Sequence, residues 1–349
     1  MNKSKKTVLY FGSYDPDYSR NRIIKKGLEA NGIKVLEDRA SGLIFARYFK
    51  LLVTFLMLQK QFKTIIIGFP GHYDVPLAYV LGKVFGKKVF LDIFASTYET
   101  YVLDRAVVKK KSISARFFFF LDWLGIKLAD HVLVDTKSHG KFYWDIYGLE
   151  PKKQILVYVG SDPDYFYPKK LKEQTDVLFY GSYQPLQGTD VIIKAAAKLP
   201  KFKFKMIGEG QERKSAEDLV KNLKLKNVEF INWLPVSKLS EEISKAKICL
   251  GIFGRGSKAD AVIPNKVYDA IASKKVIITA DTPAAREILT NGINAILLPP
   301  DPEYLARAIE LILSDKGKRY SLSEKAYSLY ISNYIPKLVV KSLIAAIDK

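Results

Sequence analysis

The sequence predicts an α/β protein built of two Rossmann-like, doubly wound domains facing across a cleft. Short, almost wholly apolar runs alternate with longer amphipathic stretches along the chain, the pattern of parallel sheets covered on both faces. The words VLYFGSYDPDYSRN (8–21) return as VLFYGSYQPLQGTD (177–190), so the strand, glycine turn and helix that open a nucleotide-binding unit occur twice. At 349 residues the chain exceeds one typical hydrophobic core, and two domains are the natural division.

Strands are expected in the first half at TVLYF (7–11), TIIIG (64–68), KVFLDI (88–93), HVLVD (131–135) and ILVYV (155–159). The second half offers DVLFY (176–180), KFKMIG (203–208), NVEFI (227–231), KICLGI (247–252) and KVIIT (275–279). Between them VGSDPDYFYPKKLKEQ (159–174) is rich in Pro, Asp and Lys and has no periodicity, as a linker would. The expected division is therefore an N-terminal domain over 1–165, a C-terminal domain over 166–325 and a helical tail over 326–349. The tail has no strand left to serve and is expected to pack back on the first domain. Ligands of such sheets bind beyond the carboxyl ends of the strands, which puts the expected site in the cleft.

Hydrophobic residues make up 48% and charged ones 26%, ordinary for a folded soluble chain. The net charge of +20 draws the protein toward polyanions: nucleic acid, anionic lipid or phosphorylated substrates. No zinc-finger spacing, RNP aromatic motif or basic-region heptad is found, and the basic residues are strewn along amphipathic stretches, so nucleic acid is not the expected partner. The single cysteine, Cys249, excludes a disulfide scaffold and fits a reducing cytosol. The opening MNKSKKTVLYF lacks a long apolar segment and a small-residue cleavage site, so no signal peptide is expected.

The stretch GIFGRGSKADAVIPNKVYDAIASKK (251–275) is the richest in chemistry. A strand ends at Phe253 and a loop carries Gly254, Arg255, Gly256 and Lys258. Pro264 then suits the first turn of a helix, whose free N–H groups favour a phosphate. Lys266 and Asp269, three apart, share a face of that helix. The cation can neutralise a diphosphate, and the carboxylate can accept the hydroxyls of a ribose. The plainer alternative is a solvated helix with an ordinary salt pair.

In the order YGSYQPLQGTDVIIKAA, IGEGQERK, VEFINWLP, LSEEISKAKICL, IPNKVYDAIASKK and NAILLPPDPEYLARAI, the second half resembles the donor domain of the retaining, family-four glycosyltransferases of the GT-B fold. VYVGSDPDYFYP (157–168) is similar to the family's interdomain linker. The resemblance covers nearly the whole chain, specifically in the C-terminal half and loosely in the N-terminal one. It implies transfer from a nucleotide sugar with retention of anomeric configuration. It also implies donor contacts at Gly181, Ser182, Gln187, Gly188, Glu209, Arg255, Lys258, Lys266 and Asp269. The sequence departs from the family in two places. Ser182 and Gln187 stand where an Arg and a Lys usually grip the diphosphate, and the usual glutamate pair is reduced to Asp269, the first position falling at Asp260 or Ala261. This marks a divergent branch with P-x-K-x-Y-D, in which Arg255, Lys258 and Lys266 supply the missing positive charge.

In the N-terminal half His72 and Asp92 each follow a strand. The family often has a histidine in one of these loops near the reacting sugar carbon, so both are candidate catalytic residues. A strand-end Asp is also often a helix cap, and a lone His a satisfied polar group. Gly12, Tyr14, Asp17, Arg20 and Arg22 are expected to face the cleft from the first loop, with the arginines either meeting a phosphate or simply solvated. A D-x-D pair binds manganese in GT-A glycosyltransferases, and DPD occurs at 15–17 and 162–164. Both copies fall outside a strand end and read as turns. With three histidines, none in ligand spacing, no metal and no other cofactor are expected.

RYFKLLVTFLMLQKQFK (47–63) and VVKKKSISARFFFFLDWLGIK (107–127) mix basic, aromatic and apolar residues but lack the ~20 apolar residues of a span. They suit helices in a membrane interface, with Lys109, Lys110, Lys111, Phe117 and Phe118 at the contact. The alternative is two helices packing on the first sheet. The resulting expectation is a glycosyltransferase at the cytoplasmic face of the cell membrane, with a lipid-linked or membrane-proximal acceptor. A nucleotide-sugar 2-epimerase of similar build and a non-catalytic polyanion-binding protein are the alternatives.

Overall fold

The computed structural model describes residues 6–349. The chain forms two compact units, the residues up to Val159 together with Pro336–Lys349, and Gly160–Ile335.

The first unit holds β1 (Thr7–Gly12), β2 (Lys34–Arg39), β3 (Thr64–Ile67), β4 (Lys88–Asp92), β5 (His131–Val134) and β6 (Gln154–Leu156). They form one parallel sheet in the order β2-β1-β3-β4-β5-β6. Its crossovers run through α1 (Ser19–Ala30), α2 (Ile44–Leu58), α3 (Val75–Phe85), α4 (Ile113–Leu128) and α5 (Lys137–Tyr147). The apolar runs are central for the reason that made them legible: Leu9, Phe11, Ile65, Ile67, Leu91 and Val132 are buried in one core. β2, which the pattern of apolar runs does not reveal, is an edge strand whose sequence KVLEDR is mostly exposed or half-buried.

The second unit holds β7 (Thr175–Tyr180), β8 (Phe204–Ile207), β9 (Val228–Ile231), β10 (Ala246–Leu250), β11 (Val276–Ala280) and the short β12 (Ile296–Leu298). These too form one parallel sheet, in the order β12-β11-β10-β7-β8-β9. α6 (Thr189–Lys198), α7 (Arg213–Asn222), α8 (Val236–Lys245), α9 (Ser257–Ala261), α10 (Asn265–Ala272), α11 (Pro302–Ser314) and α12 (Lys316–Asn333) accompany it. In each sheet the connections reverse direction at one place, between β1 and β3 and between β7 and β10. The carboxyl ends of the strands there are where such sheets take ligands.

α13 (Pro336–Val339) and α14 (Lys341–Ile347) return to the first unit. α13 lies against α1 where a Cβ on Gly27 would stand 2.3 Å from the Pro336 carbonyl oxygen. Asn31 Nδ2 donates to the Lys337 carbonyl at 2.9 Å. The division thus falls after Val159 rather than after residue 165, and the return begins at Pro336 rather than at 326. The physical reason is α12: it runs unbroken to Asn333, with Ala326 and Tyr330 buried in the second unit, and Tyr330 donates to the Ser161 carbonyl at 3.1 Å.

Candidate active site

The two related turns, Gly12-Ser13-Tyr14 and Gly181-Ser182-Tyr183, end β1 and β7 at the two reversal points, and their surroundings differ in sign. In the first, the buried Asp74 carboxylate fills the turn. Ser13 donates to Asp74 Oδ2 from both its backbone N and its Oγ, each at 2.7 Å, and Arg47 Nε lies 3.0 Å from Oδ1. Gly12, at φ +116, has no room for a side chain, since a Cβ would stand 2.9 Å from Asp74 Oδ2. A turn already holding a carboxylate repels a phosphate.

In the second turn the occupant is a neutral amide with a cation above it. Gln187 Oε1 accepts from Tyr183 N at 3.1 Å, and Gln187 Nε2 lies 3.4 Å from Ser182 Oγ. A Cβ on Gly181 would stand 2.5 Å from Gln187 Oε1 and 2.8 Å from Lys266 Nζ. Lys266 is 4% exposed, and its Nζ has no hydrogen-bond partner among the described residues. Its nearest compensation is the face of Phe179, 3.9 Å from Nζ to the ring centroid. Burial pushes the ammonium well below its ordinary pKa. One helical step on, Asp269 Oδ1 accepts from Ser161 Oγ at 2.6 Å and Oδ2 from Tyr180 OH at 3.1 Å. These bonds fix the orientation of the carboxylate. Gly208 and Gly210, at φ +124 and +150, press their backbone on Gly181 and Ser182, which sets the exposed Glu209 beside the turn.

Lys266, Asp269, Gly181, Ser182, Gln187 and Glu209 are therefore brought together. Gly188, at φ +60, instead packs on the backbone of Phe253 and Gly254. The exposed Arg255 that follows donates to the Pro300 carbonyl, 3.3 Å from Nη2, and lines a cavity of about 290 Å³ with Gly188, Asp190 and Lys194. Lys258 is buried in α9, a short helix where a loop is expected. At the first acidic position, Asp260 is exposed and Ala261 buried.

The first unit corrects several expectations. Arg20 does not face a ligand: it is fully buried, and its guanidinium grips Asp92, Nε to Oδ2 at 3.0 Å and Nη2 to Oδ1 at 3.1 Å. Its Nη1 donates to the carbonyls of Val157 and Tyr158. Asp92 is likewise fully buried, so the candidate catalytic carboxylate is the counter-ion of the candidate phosphate-binding arginine. Burial pushes the Asp92 carboxyl above the usual range, and Arg20 opposes that. Tyr14 is 1% exposed, with its hydroxyl donating to Glu37. His72 is buried, its Nε2 unbonded and 3.8 Å from an Asp122 oxygen that already accepts from Thr97. Burial lowers its pKa, against the pull of Asp122 and Asp92. Arg22 is half-buried and donates to the Asp17 carbonyl at 2.9 Å. Both DPD copies are turns closed by their first Asp: Asp17 N reaches Asp15 Oδ1 at 3.0 Å, and Asp164 N reaches Asp162 Oδ1 at 3.2 Å.

The sequence reasoning missed a buried charge cluster at the carboxyl ends of β4 and β5. His139 Nδ1 is 2.6 Å from Asp135 Oδ1, and Nε2 is 3.0 Å from Glu99 Oε2. Burial alone would lower the imidazole's pKa, but Glu99 and Asp135 hold it up at about 10. Its legible half is the Asp135 and His139 pair, four apart after a strand in HVLVDTKSHG.

Lys109, Lys110, Lys111 and Phe117 are exposed, while Phe118 is half-buried on Tyr101. α2 buries only Leu51 and Phe55, leaving Phe45 88% and Phe49 68% exposed. No helix among the described residues is long and apolar enough to cross a membrane. Among the described residues no three His, Cys, Asp or Glu side chains are grouped to hold a metal ion.

Residues 162–329 match the family "Glycosyl transferases group 1". D-inositol 3-phosphate glycosyltransferase of Kribbella flavida is 24% identical over 227 residues, covering 58% of this chain and 52% of the relative. Lipopolysaccharide core biosynthesis glycosyltransferase LpsE of Rhizobium meliloti is 22% identical over 160 residues, covering 45% of each. The chain thus spans about half the length of these curated relatives. Among solved structures, Anabaena HepE in complex with UDP and glucose is similar with a TM-score of 0.72 at 13% identity, over 99% of this chain and 100% of that one. Sucrose-phosphate synthase from Thermosynechococcus elongatus gives 0.74 at 16% identity, over 98% of each chain. The fold is that of the GT-B glycosyltransferases, and residues 162–329 match, as a domain, the group 1 glycosyl transferase family.

Proposed function

We propose that the protein is a glycosyltransferase, moving a sugar from a nucleotide-sugar donor held by the second unit to an acceptor held by the first, with retention of anomeric configuration. The contrast between the two turns carries this reading: Asp74 fills one, whereas the other carries the buried, unpartnered Lys266. A diphosphate at Gly181 and Ser182 would supply the counter-ion that Lys266 lacks, and the ammonium would stabilise the charge that grows on the departing nucleoside diphosphate. Asp269, one turn along the same helix and oriented by Ser161 and Tyr180, is the carboxylate that would accept from the ribose hydroxyls. With Lys266 in this role the transfer is metal-independent and needs no cofactor. The UDP bound in HepE supports a uridine nucleotide as donor.

Incubation with a panel of nucleotide sugars tests the reading. Acceptor-dependent release of UDP or GDP is the expected result. An altered sugar without an acceptor would make the protein a 2-epimerase, and binding without turnover would reduce it to a binding protein.

The acceptor is read as lipid-linked or membrane-proximal, with the protein at the cytoplasmic face of the membrane. The exposed faces of α2 and α4 and the three lysines before α4 support this. The protein is expected to sediment with phosphatidylglycerol vesicles at low salt. Each lysine near such a surface contributes about 1 kcal/mol, so changing Lys109, Lys110 and Lys111 to Gln weakens binding by up to roughly a hundredfold. Phe45→Ser with Phe49→Ser weakens the part that salt does not screen. If both variants sediment like the wild type, the membrane reading fails.

A further inference from the structure

α10 carries the chain from Lys266 to the amino-terminal ends of the strands of the second sheet, where Lys274 and Lys275 stand just before β11. A cavity of about 340 Å³ opens there among Glu173, Lys247, Lys274, Lys275, Lys316 and Arg319. Three of its cations have counter-ions. Lys247 is 2.7 Å from Asp176, Arg319 is 3.3 Å from Glu173, and Lys274 is paired with Glu324. Lys275 and Lys316 have no ion-pair partner among the described residues, so the cavity carries two positive charges in excess. Burial pushes the Lys275 ammonium below its usual range, opposed by Cys249 and Glu173, with a smaller repulsion from Arg319.

We propose that this cavity is a second anion site, separate from the nucleotide site, and that it takes a phosphomonoester. A phosphomonoester carries about −1.5 to −2 charge at neutral pH, which matches the excess. The volume is near the lower end for small-molecule sites, roughly 300–1,000 Å³, and suits a compact phosphate rather than a whole nucleotide sugar. Lysine ammonium groups, as rotatable point charges, fit a phosphate that presents no fixed fork. A soluble sugar or polyol phosphate and the phosphate headgroup of a lipid share this chemistry.

Calorimetry on the full protein saturated with UDP tests it, with inorganic phosphate, glycerol 3-phosphate and a soluble short-chain phosphatidate as probes. At least one probe is expected to bind at one site per chain, as well in Lys266→Ala as in the wild type. Lys275→Gln with Lys316→Gln should weaken that binding at least tenfold and leave UDP affinity unchanged. Lys316→Gln alone, at an exposed position, gives a variant whose folding is not at risk and should weaken it several-fold. Preference for glycerol 3-phosphate identifies a soluble ligand, and preference for phosphatidate a lipid. No binding to the UDP-saturated protein, or equal binding by the lysine variants, overturns the proposal. If UDP itself does not bind, the donor reading fails, and the phosphate titration of Lys266→Ala still decides this one.

Discussion

Lys266→Met is expected to make the protein more stable and a poorer nucleotide binder at once. The wild-type ammonium is buried over Gly181 with no hydrogen-bond partner, and an unsatisfied buried polar group costs about 1–3 kcal/mol. Methionine fills similar volume without that cost. In a unit of this size 1 kcal/mol moves the Tm by about 2–4 °C, so a rise of a few degrees is expected in a thermal melt. UDP affinity should fall roughly tenfold to a hundredfold, because a charge-assisted contact to the diphosphate is lost. The pH dependence follows from burial, which sets the folded pKa below the unfolded value of about 10.5. Between the two values the unfolded chain holds a proton that the folded protein does not. Stability therefore rises with pH through that interval, a slope that Lys266→Met lacks. UDP should also draw a proton onto Lys266 there, read as a buffer-dependent binding enthalpy. A destabilised Lys266→Met variant with unchanged UDP affinity would remove the lysine from the donor site.

The largest loss of stability is expected from Asp92→Ala. It would leave the Arg20 guanidinium, fully buried, with only the Val157 and Tyr158 carbonyls. Breaking a buried pair from one side costs about 3–5 kcal/mol, which lowers the Tm by roughly 6–20 °C. The double variant Arg20→Met with Asp92→Leu should recover most of it, since replacing both charges with packed apolar groups is often neutral. The single variants and the double variant together separate the pair's own contribution from the stranded charge. Asp92→Asn with an unshifted melt and lost turnover would instead return Asp92 to catalysis.

The Arg20 and Asp92 pair also shows where sequence reading stops. An Asp ending a strand and an Arg opening a helix each read as aimed at a ligand, and nothing local reveals that they meet. The strands were legible because burial on both faces demands continuous apolar runs. β2 and β12 escaped because an edge strand or a three-residue one has no such demand. Lys266 and Asp269 were legible because helical spacing fixes a shared face within one element. The opposite fillings of the two Gly-Ser-Tyr turns were not. They depend on loops that bring Asp74 to one turn and Lys266 to the other, although the turns themselves read alike.

The return of α13 and α14 sets an order of events during synthesis. The first sheet is complete in the chain once β6 is made, yet the cover over Gly27 comes only with Pro336–Val340. At about 5–20 residues per second, Gly160–Ile335 takes roughly 10–35 s to emerge. Through that interval the early-born half waits with the α13 side of α1 bare, while the later-born half, continuous in sequence, has all it needs to fold. Premature release near Ile335 would thus leave a finished second unit tethered to an unfinished first one, and it is the older half that a protease would find first.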